Sequence, residues 1–183
     1  MPPSKWSGTC ALRPECGLDG TRSAASVLVF ACGNPSRGDD ALGPLLLDRL
    51  RVWLATEELS DRFELLGDFQ LQIEHALDLL GRRMALFIDA GQRTPAPFLF
   101  RQVSAEDRFN ASTHALSPAA VLAVLERIGE SPPPAFVLCV RGECFDLGAG
   151  LSVAARAHAD AAFRLLQTLC RFASYADWQA RVV

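Results

Sequence analysis

Residues 27–40 read VLVFACGNPSRGDD, a short apolar run that passes into a glycine-bearing turn ending in two adjacent acids. The run VLVFAC lacks alternating polar residues, which is typical of a strand buried on both faces of a sheet. The segment that follows, ALGPLLLDRLRVWL, has apolar residues at helical spacing. A strand, a turn and a helix in this order predict the first unit of a parallel α/β sheet.

The rest of the chain repeats this alternation. Further apolar strands are predicted at 62–67, 84–90, 97–103 and 135–140. Helices are predicted from about residue 73 to Gly81, after Ser117 and after Ser152, because serine is a good N-cap and glycine a common stop. Prolines indicate that the strand at 97–103 lies at an edge. We expect a single-domain α/β fold, a three-layer α-β-α sandwich with a mostly parallel twisted sheet.

The two ends of the chain differ from this pattern. Residues 1–25 are rich in Pro, Gly and Ser without a sustained hydrophobic period, which is typical of a flexible arm. We expect the α/β domain over residues 26–173 and a C-terminal tail over 174–183. The six cysteines form no CxxC pair, which favours free thiols in a reducing compartment.

Charge and hydropathy argue against several classes of protein. The formal net charge is −3 over 183 residues, whereas a nucleic-acid-binding protein needs a clustered basic face. The longest apolar stretches, such as MALFIDA, are too short to span a bilayer, and residues 1–25 have no apolar core of signal-peptide length. We therefore expect a cytoplasmic monomer that binds neither nucleic acid nor membrane.

Polar side chains follow the predicted strands at the point where each strand ends. Asp39 and Asp40 come after the first strand, Asp89 ends the run MALFI, and His114 lies in the loop NASTH before a predicted helix. Ligands of open parallel sheets bind at the carboxyl ends of the strands. Asp40, Asp89 and His114 are therefore candidate site residues at one edge of the sheet.

The charge of the turn GNPSRGDD decides which kind of ligand it suits. A phosphate site needs backbone N–H groups and often a lysine, whereas two carboxylates would repel the phosphate by on the order of several kcal/mol. Two carboxylates and an imidazole instead suit a borderline divalent metal such as nickel or zinc. Three protein ligands leave coordination positions open, as in catalytic sites. Adjacent acids cannot both point one way, so one is expected to cap the helix and the other to face the crevice.

Each of these residues also has an ordinary structural interpretation. An acid pair at a helix start is most often capping, and His75 and His158 are expected to be ordinary histidines. Glu74 is by default a solvated helix acid, although it is also the nearest candidate for a separate general base. A strand-terminal acid such as Asp89 must be paired, solvated or ligating. The convergence of three metal-capable residues at one edge favours a metal site.

Four segments resemble a known family when taken together. CGNPSRGDDALGP is similar to the N-terminal motif of the [NiFe]-hydrogenase maturation endopeptidases, FIDAG to their second acidic motif, and STHALSP to their histidine loop. RGECFDLGAGLS and the Ala-rich helix after it resemble their closing segment. FQLQIEHALDLL resembles the subgroup that serves soluble or bidirectional cofactor-reducing hydrogenases. Cys32 departs from the family, because many relatives have glycine or a small aliphatic residue there.

The resemblance implies an activity and a set of roles. Such enzymes cut the hydrogenase large-subunit precursor once, near its C-terminus, after nickel has been inserted. Carried over by motif, the residues that contact nickel are Asp40, Asp89 and His114, and Asp39 is the neighbouring helix-start acid. The resemblance implies that the precursor, and not the enzyme, supplies the nickel together with cysteine thiolates.

Two other classes of function remain open from the sequence. One is a non-catalytic α/β module that binds a nucleotide or metabolite through GNPSRGDD. The other is a chaperone-like partner that docks on the precursor without cutting it. Only the endopeptidase releases a C-terminal peptide, and only the nucleotide-binding module is stabilised by a nucleotide.

Overall fold

One sheet organises the part of the chain that the computed structural model describes, residues 26–106 and 116–182. Its strands lie in the order β2-β1-β3-β5-β4. They are β1 (Val27–Cys32), β2 (Phe63–Asp68), β3 (Met84–Gly91), β4 (Phe98–Val103) and β5 (Ala135–Arg141). The pairs β1–β2, β1–β3 and β3–β5 are parallel, and β4 runs antiparallel to β5 at the edge. The mostly parallel sheet and the edge strand are therefore confirmed.

Helices cover both faces of this sheet. The α-helices are α1 (Leu42–Thr56), α2 (Pro118–Arg127), α3 (Val153–Arg171) and α4 (Tyr175–Gln179). Helices α1, α3 and α4 contribute to the hydrophobic cluster on one face, and α2 contributes to the cluster on the other. The three-layer α-β-α arrangement is confirmed. None of the helices within the described ranges is both long enough and apolar enough to cross a membrane.

The segment after β2 differs from the predicted α-helix. Residues Ile73–Leu79 form a 3₁₀ helix, whose repeat of three residues buries Ala76 and Leu79. Ile73 and Leu77, two apolar residues of the predicted helix, are 61% and 58% exposed. The apolar spacing is compatible with an α-helix and with a 3₁₀ helix, and the 3₁₀ helix is the one that forms.

The end of the chain is part of the domain, so the expected tail beginning at residue 174 is wrong for the described residues. Trp178 of α4 is fully buried, and its indole N–H donates to the carbonyl of Leu169 at 2.9 Å. Its ring packs edge-on against Phe136, with 5.3 Å between the ring centroids. A large buried aromatic residue contributes strongly to holding a short helix on the core.

Candidate metal and active site

The carboxyl ends of β1, β2 and β3 bring several acids to one edge of the sheet. Cys32 pairs in register with Asp68 of β2, and Asp89 of β3 pairs with Cys139 of β5. Ala31 pairs with Ile88, so Asp89 lies beside Cys32 at the next position. Neighbouring strands are about 4.8 Å apart. Asp68, Cys32, Asp89 and Cys139 therefore form one row across the sheet.

Asp40 is placed at this edge by the turn that leaves β1. Its Oδ2 accepts a hydrogen bond from the backbone N–H of Asn34 at 2.9 Å. Gly33 has a φ of +141°, and a Cβ there would lie 2.0 Å from the carbonyl oxygen of Asp40. The turn therefore requires glycine at 33, and it closes tightly enough to hold the Asp40 carboxylate against the strand end.

Asp89 has an unusual electrostatic environment. Burial and, to a smaller extent, the negative charge of Asp40 raise the pKa of Asp89 to about 7, although a hydrogen bond from the Ala90 N–H opposes both effects. That hydrogen bond, to Oδ1 of Asp89, is 2.8 Å long. Asp40 and Asp89 are thus close enough for their charges to interact, although 49 positions separate them in the sequence. A cation between them would reduce the repulsion.

Cys32 lies among these acids as a neutral thiol. Burial and the negative charges of Asp89, Asp68 and Asp40 raise the pKa of its thiol well above the usual range. Thiolates, not thiols, bind metals and attack carbonyls. In the metal-free protein Cys32 is therefore a small, neutral neighbour of the acids.

The histidine next to Glu74 points inward, whereas Glu74 is exposed. The His75 ring lies 4.5 Å from the Phe30 ring, and its Nδ1 accepts a hydrogen bond from the Gln72 N–H at 2.9 Å. The neutral ring therefore carries its proton on Nε2, which is 3.7 Å from a carboxylate oxygen of Asp68. In this tautomer Nδ1 is occupied by the Gln72 N–H, and the proton on Nε2 faces Asp68.

Neither acid of the pair caps α1, contrary to the expectation from sequence. The N-cap of α1 is Ala41, and it makes no side-chain cap hydrogen bond. Asp39 is completely buried and accepts hydrogen bonds from the segment after β5. No local sequence pattern indicated this, because the partners of Asp39 are 104 to 113 residues away.

Residues at the end of β5 bind one another. The Arg141 guanidinium pairs with both Glu143 carboxylate oxygens, at 3.0 and 3.2 Å, and also donates to the carbonyl of Thr94. Nδ1 of His158 lies 2.9 Å from the Arg141 carbonyl oxygen. His158 therefore has a structural partner, as expected for an ordinary histidine.

The described residues supply two of the three predicted ligands. Within residues 26–106 and 116–182, no group of three or more His, Cys, Asp and Glu side chains is arranged to hold a metal ion. His114 lies outside the described residues. Asp40 and Asp89 alone make an acidic pair at an open edge, so a metal here needs further ligands from elsewhere.

Comparison with known proteins gives matches at the level of structure. No protein-family model matches the sequence, and no curated protein matches it. The chain is similar in structure to the hydrogenase maturating endopeptidase HybD from Escherichia coli, with 22% identity, a TM-score of 0.62, and coverage of 81% of this chain and 93% of that chain. It is also similar to the [NiFe] hydrogenase maturation protease HycI from Thermococcus kodakarensis KOD1, at 20% identity, TM-score 0.59, and coverage of 80% and 93%.

A third similar structure is the solution structure of an endopeptidase from Escherichia coli, at 24% identity and a TM-score of 0.63. It is covered over 93% of its length, and the match includes 81% of this chain. The chain therefore has the fold of the hydrogenase maturation endopeptidases over most of its length.

Proposed function

We propose that the protein is an endopeptidase of [NiFe]-hydrogenase maturation. In this proposal it removes the C-terminal extension of a large-subunit precursor after nickel has been inserted. One observation carries the proposal: a chain with the fold of these endopeptidases holds Asp40 and Asp89 together at the carboxyl edge of its sheet. Ligands of open α/β sheets bind at this edge.

The nickel ion belongs to the substrate in this proposal. Asp40 and Asp89 contribute carboxylate oxygens, and His114 contributes an imidazole. This mixed oxygen and nitrogen set suits a borderline divalent metal, and three protein ligands leave positions for thiolates of the precursor. A ligating carboxylate must be ionised, so contact with the ion favours the charged form of Asp89, which its burial otherwise disfavours.

The work of the enzyme is mainly to orient the scissile segment. When the nickel ion of the precursor contacts Asp40 and Asp89, the segment of the precursor beyond the metal site lies along the same edge of the sheet. Fixing the reacting groups in this way converts a bimolecular encounter into a unimolecular step, which accounts for a large share of catalysis in many enzymes. The nickel ion itself is able to polarise a carbonyl or activate water.

Substitution of the three ligands tests this proposal. Asp40→Asn, Asp89→Asn and His114→Ala are each mixed with nickel-loaded precursor, and the loss of C-terminal mass is followed by mass spectrometry. We expect processing to fall on the order of 100-fold or more in each variant, because each removes a contact that positions the substrate. Asp61→Asn is the matched control, since Asp61 is an exposed acid away from the edge.

Two results would argue against the proposal. Full processing by any one ligand variant removes that residue from the site. Tight binding of the precursor by the wild-type protein without release of a peptide indicates a docking partner and not an endopeptidase.

A further inference from the structure

Asp39 joins two distant segments of the edge. They are the acidic turn, residues 33–41, and the closing loop, residues 142–152. Oδ2 of Asp39 accepts from the N–H groups of Glu143 at 2.6 Å and Cys144 at 2.9 Å, and from the Ser152 hydroxyl at 2.8 Å. Oδ1 accepts from the Ser152 N–H at 2.7 Å. Every hydrogen bond to the carboxylate thus comes from the closing loop.

The backbones of the two segments are also joined. The Asp39 N–H donates to the Cys144 carbonyl at 2.7 Å, and the Gly38 N–H donates to the Ala149 carbonyl at 3.1 Å. In return, the Gly148 N–H donates to the Ser36 carbonyl at 2.7 Å. A Cβ on Gly38 would lie 2.5 Å from the Cys144 carbonyl oxygen, so the segments touch without a gap.

The topology of the sheet shows what this link does. The acidic turn leaves β1 and the closing loop leaves β5, and β3 lies between these two strands. A link from one to the other must therefore pass over the end of β3, which is where Asp89 lies. The 3₁₀ helix Gly38–Ala41 contacts β3 accordingly.

The Asp39 carboxylate is charged although it is buried. Burial alone would raise the pKa of Asp39, but the N–H groups of Cys144, Ser152 and Glu143 and the Ser152 hydroxyl together hold it below its usual value. Ser152 is also the N-cap of α3, whose N-terminus favours a nearby negative charge. A buried charge is costly unless such partners are fixed in place. The fixed donors of the closing loop therefore offset the cost of burying the Asp39 charge.

We propose that Asp39 is a positioning residue, which holds the acidic turn over the end of β3 and so sets the distance between Asp40 and Asp89. This inference rests on the proposed function for its effect on activity. It assigns the closing loop a role as the support of the acidic turn.

Asp39→Asn tests the role with little change of volume. An amide nitrogen in place of Oδ2 would face the N–H groups of Glu143 and Cys144, and in place of Oδ1 it would face that of Ser152. Either orientation sets donor against donor and weakens the link, although the backbone hydrogen bonds between the two segments remain. Ser152→Ala removes the hydroxyl bond to Asp39 together with the side-chain cap of α3, but it leaves three N–H bonds to the carboxylate, so it serves as a milder second variant.

The control is Ser174→Ala. Ser174 caps α4 as Ser152 caps α3, and its hydroxyl also bonds an aspartate, Asp177, but it lies outside the acidic turn and the closing loop. All variants are assayed at a temperature where circular dichroism shows them folded. We expect kcat for precursor cleavage to fall on the order of 100-fold in Asp39→Asn and less in Ser152→Ala, with KM changed less than about twofold. Ser174→Ala should lower Tm without changing kcat.

Amide hydrogen exchange gives a readout that needs no activity. The Asn34 N–H, which binds Asp40, should exchange faster in Asp39→Asn than in Ser174→Ala. If kcat of Asp39→Asn equals that of Ser174→Ala, Asp39 only stabilises the fold and the inference is overturned. If the wild-type protein cuts no precursor, the proposed function fails, and the exchange of Asn34 alone decides: faster exchange supports positioning, and equal exchange overturns it.

Discussion

Asp39 and Asp40 are adjacent in the sequence and have opposite environments. Asp39 is completely buried and saturated with donors, whereas Asp40 is partly exposed and accepts one backbone hydrogen bond from the turn that it closes. A short 3₁₀ segment turns consecutive side chains in different directions, which separates them. Asp39 is therefore available to support the edge, and Asp40 is available to contact a ligand.

The raised pKa of Asp89 predicts how stability depends on pH. In the folded protein the pKa of Asp89 is about 7, while the ordinary value is 3.8, so the native state holds this proton more tightly than the unfolded state. The contribution of neutral Asp89 is fully present below pH ~4 and is lost as the pH rises to about 7, by at most ~1.4 kcal/mol per pH unit. Asp89→Asn lacks this titration.

Urea unfolding of the metal-free wild type and Asp89→Asn between pH 4 and 8 checks this prediction. The free energy of unfolding of Asp89→Asn minus that of the wild type should rise up to pH ~7 and stay constant above it. Asp40 and Cys32 face Asp89 and are the same in both proteins, so their titration affects both curves. A difference that does not vary with pH would mean that Asp89 is ionised throughout the range.

The sequence predicts the position of a residue in the sheet when that residue directly follows a strand. Asp40 and Asp89 follow apolar runs, and parallel strands end at a common edge. The partners of Asp39 were not predictable, because no local pattern links a turn at 33–41 to a loop at 142–152. The inward direction of His75 was also hidden, since it depends on which helix type the segment adopts.

At the scale of elements, the contact between β1 and α1 sets the position of the acidic turn. A Cβ on Gly43 would lie 2.0 Å from the Cys32 carbonyl oxygen and 3.1 Å from its carbonyl carbon. Helix α1 therefore begins in direct contact with the end of β1. Backbone lies on both sides of this contact and has little freedom to move.

Gly43→Ala should therefore separate the helix from the strand. We expect a loss of about 1–3 kcal/mol in the free energy of unfolding, because overpacking forces the backbone to shift. Gly150→Ala is the control, since a Cβ at Gly150 meets nothing within 4 Å, and it should stay within about 0.5 kcal/mol of the wild type. Equal stability of the two variants in chemical denaturation would show that α1 can move away from β1 at no cost.

Most elements were predicted because their signals are local. Serine N-caps at Ser117 and Ser152 accept hydrogen bonds from Ala120 and Ala155, as their positions before apolar helices indicated. Helix α4 was missed because Trp178 and Tyr175, which hold it on the domain, contact residues of distant strands. The 3₁₀ helix Ile73–Leu79 was assigned the wrong type because its burial pattern depends on packing against α2.

At the scale of the whole molecule, the strand order brings the functional elements together. Strand β3 lies at the centre of the sheet with β1 on one side and β5 on the other. The acidic turn and the closing loop therefore meet above Asp89, and α2, which follows the segment containing His114, packs on the face that also holds Cys32. The sequence predicted that these segments share an edge, but it did not predict which of them would support the other.

We propose that the acidic edge recognises nickel carried by the precursor. The most direct test compares the cleavage of nickel-loaded and nickel-free precursor by the wild-type protein, followed by mass spectrometry of the large subunit. We expect release of a C-terminal peptide from the nickel-loaded precursor and none from the nickel-free precursor. Cleavage of both forms at the same rate would contradict it.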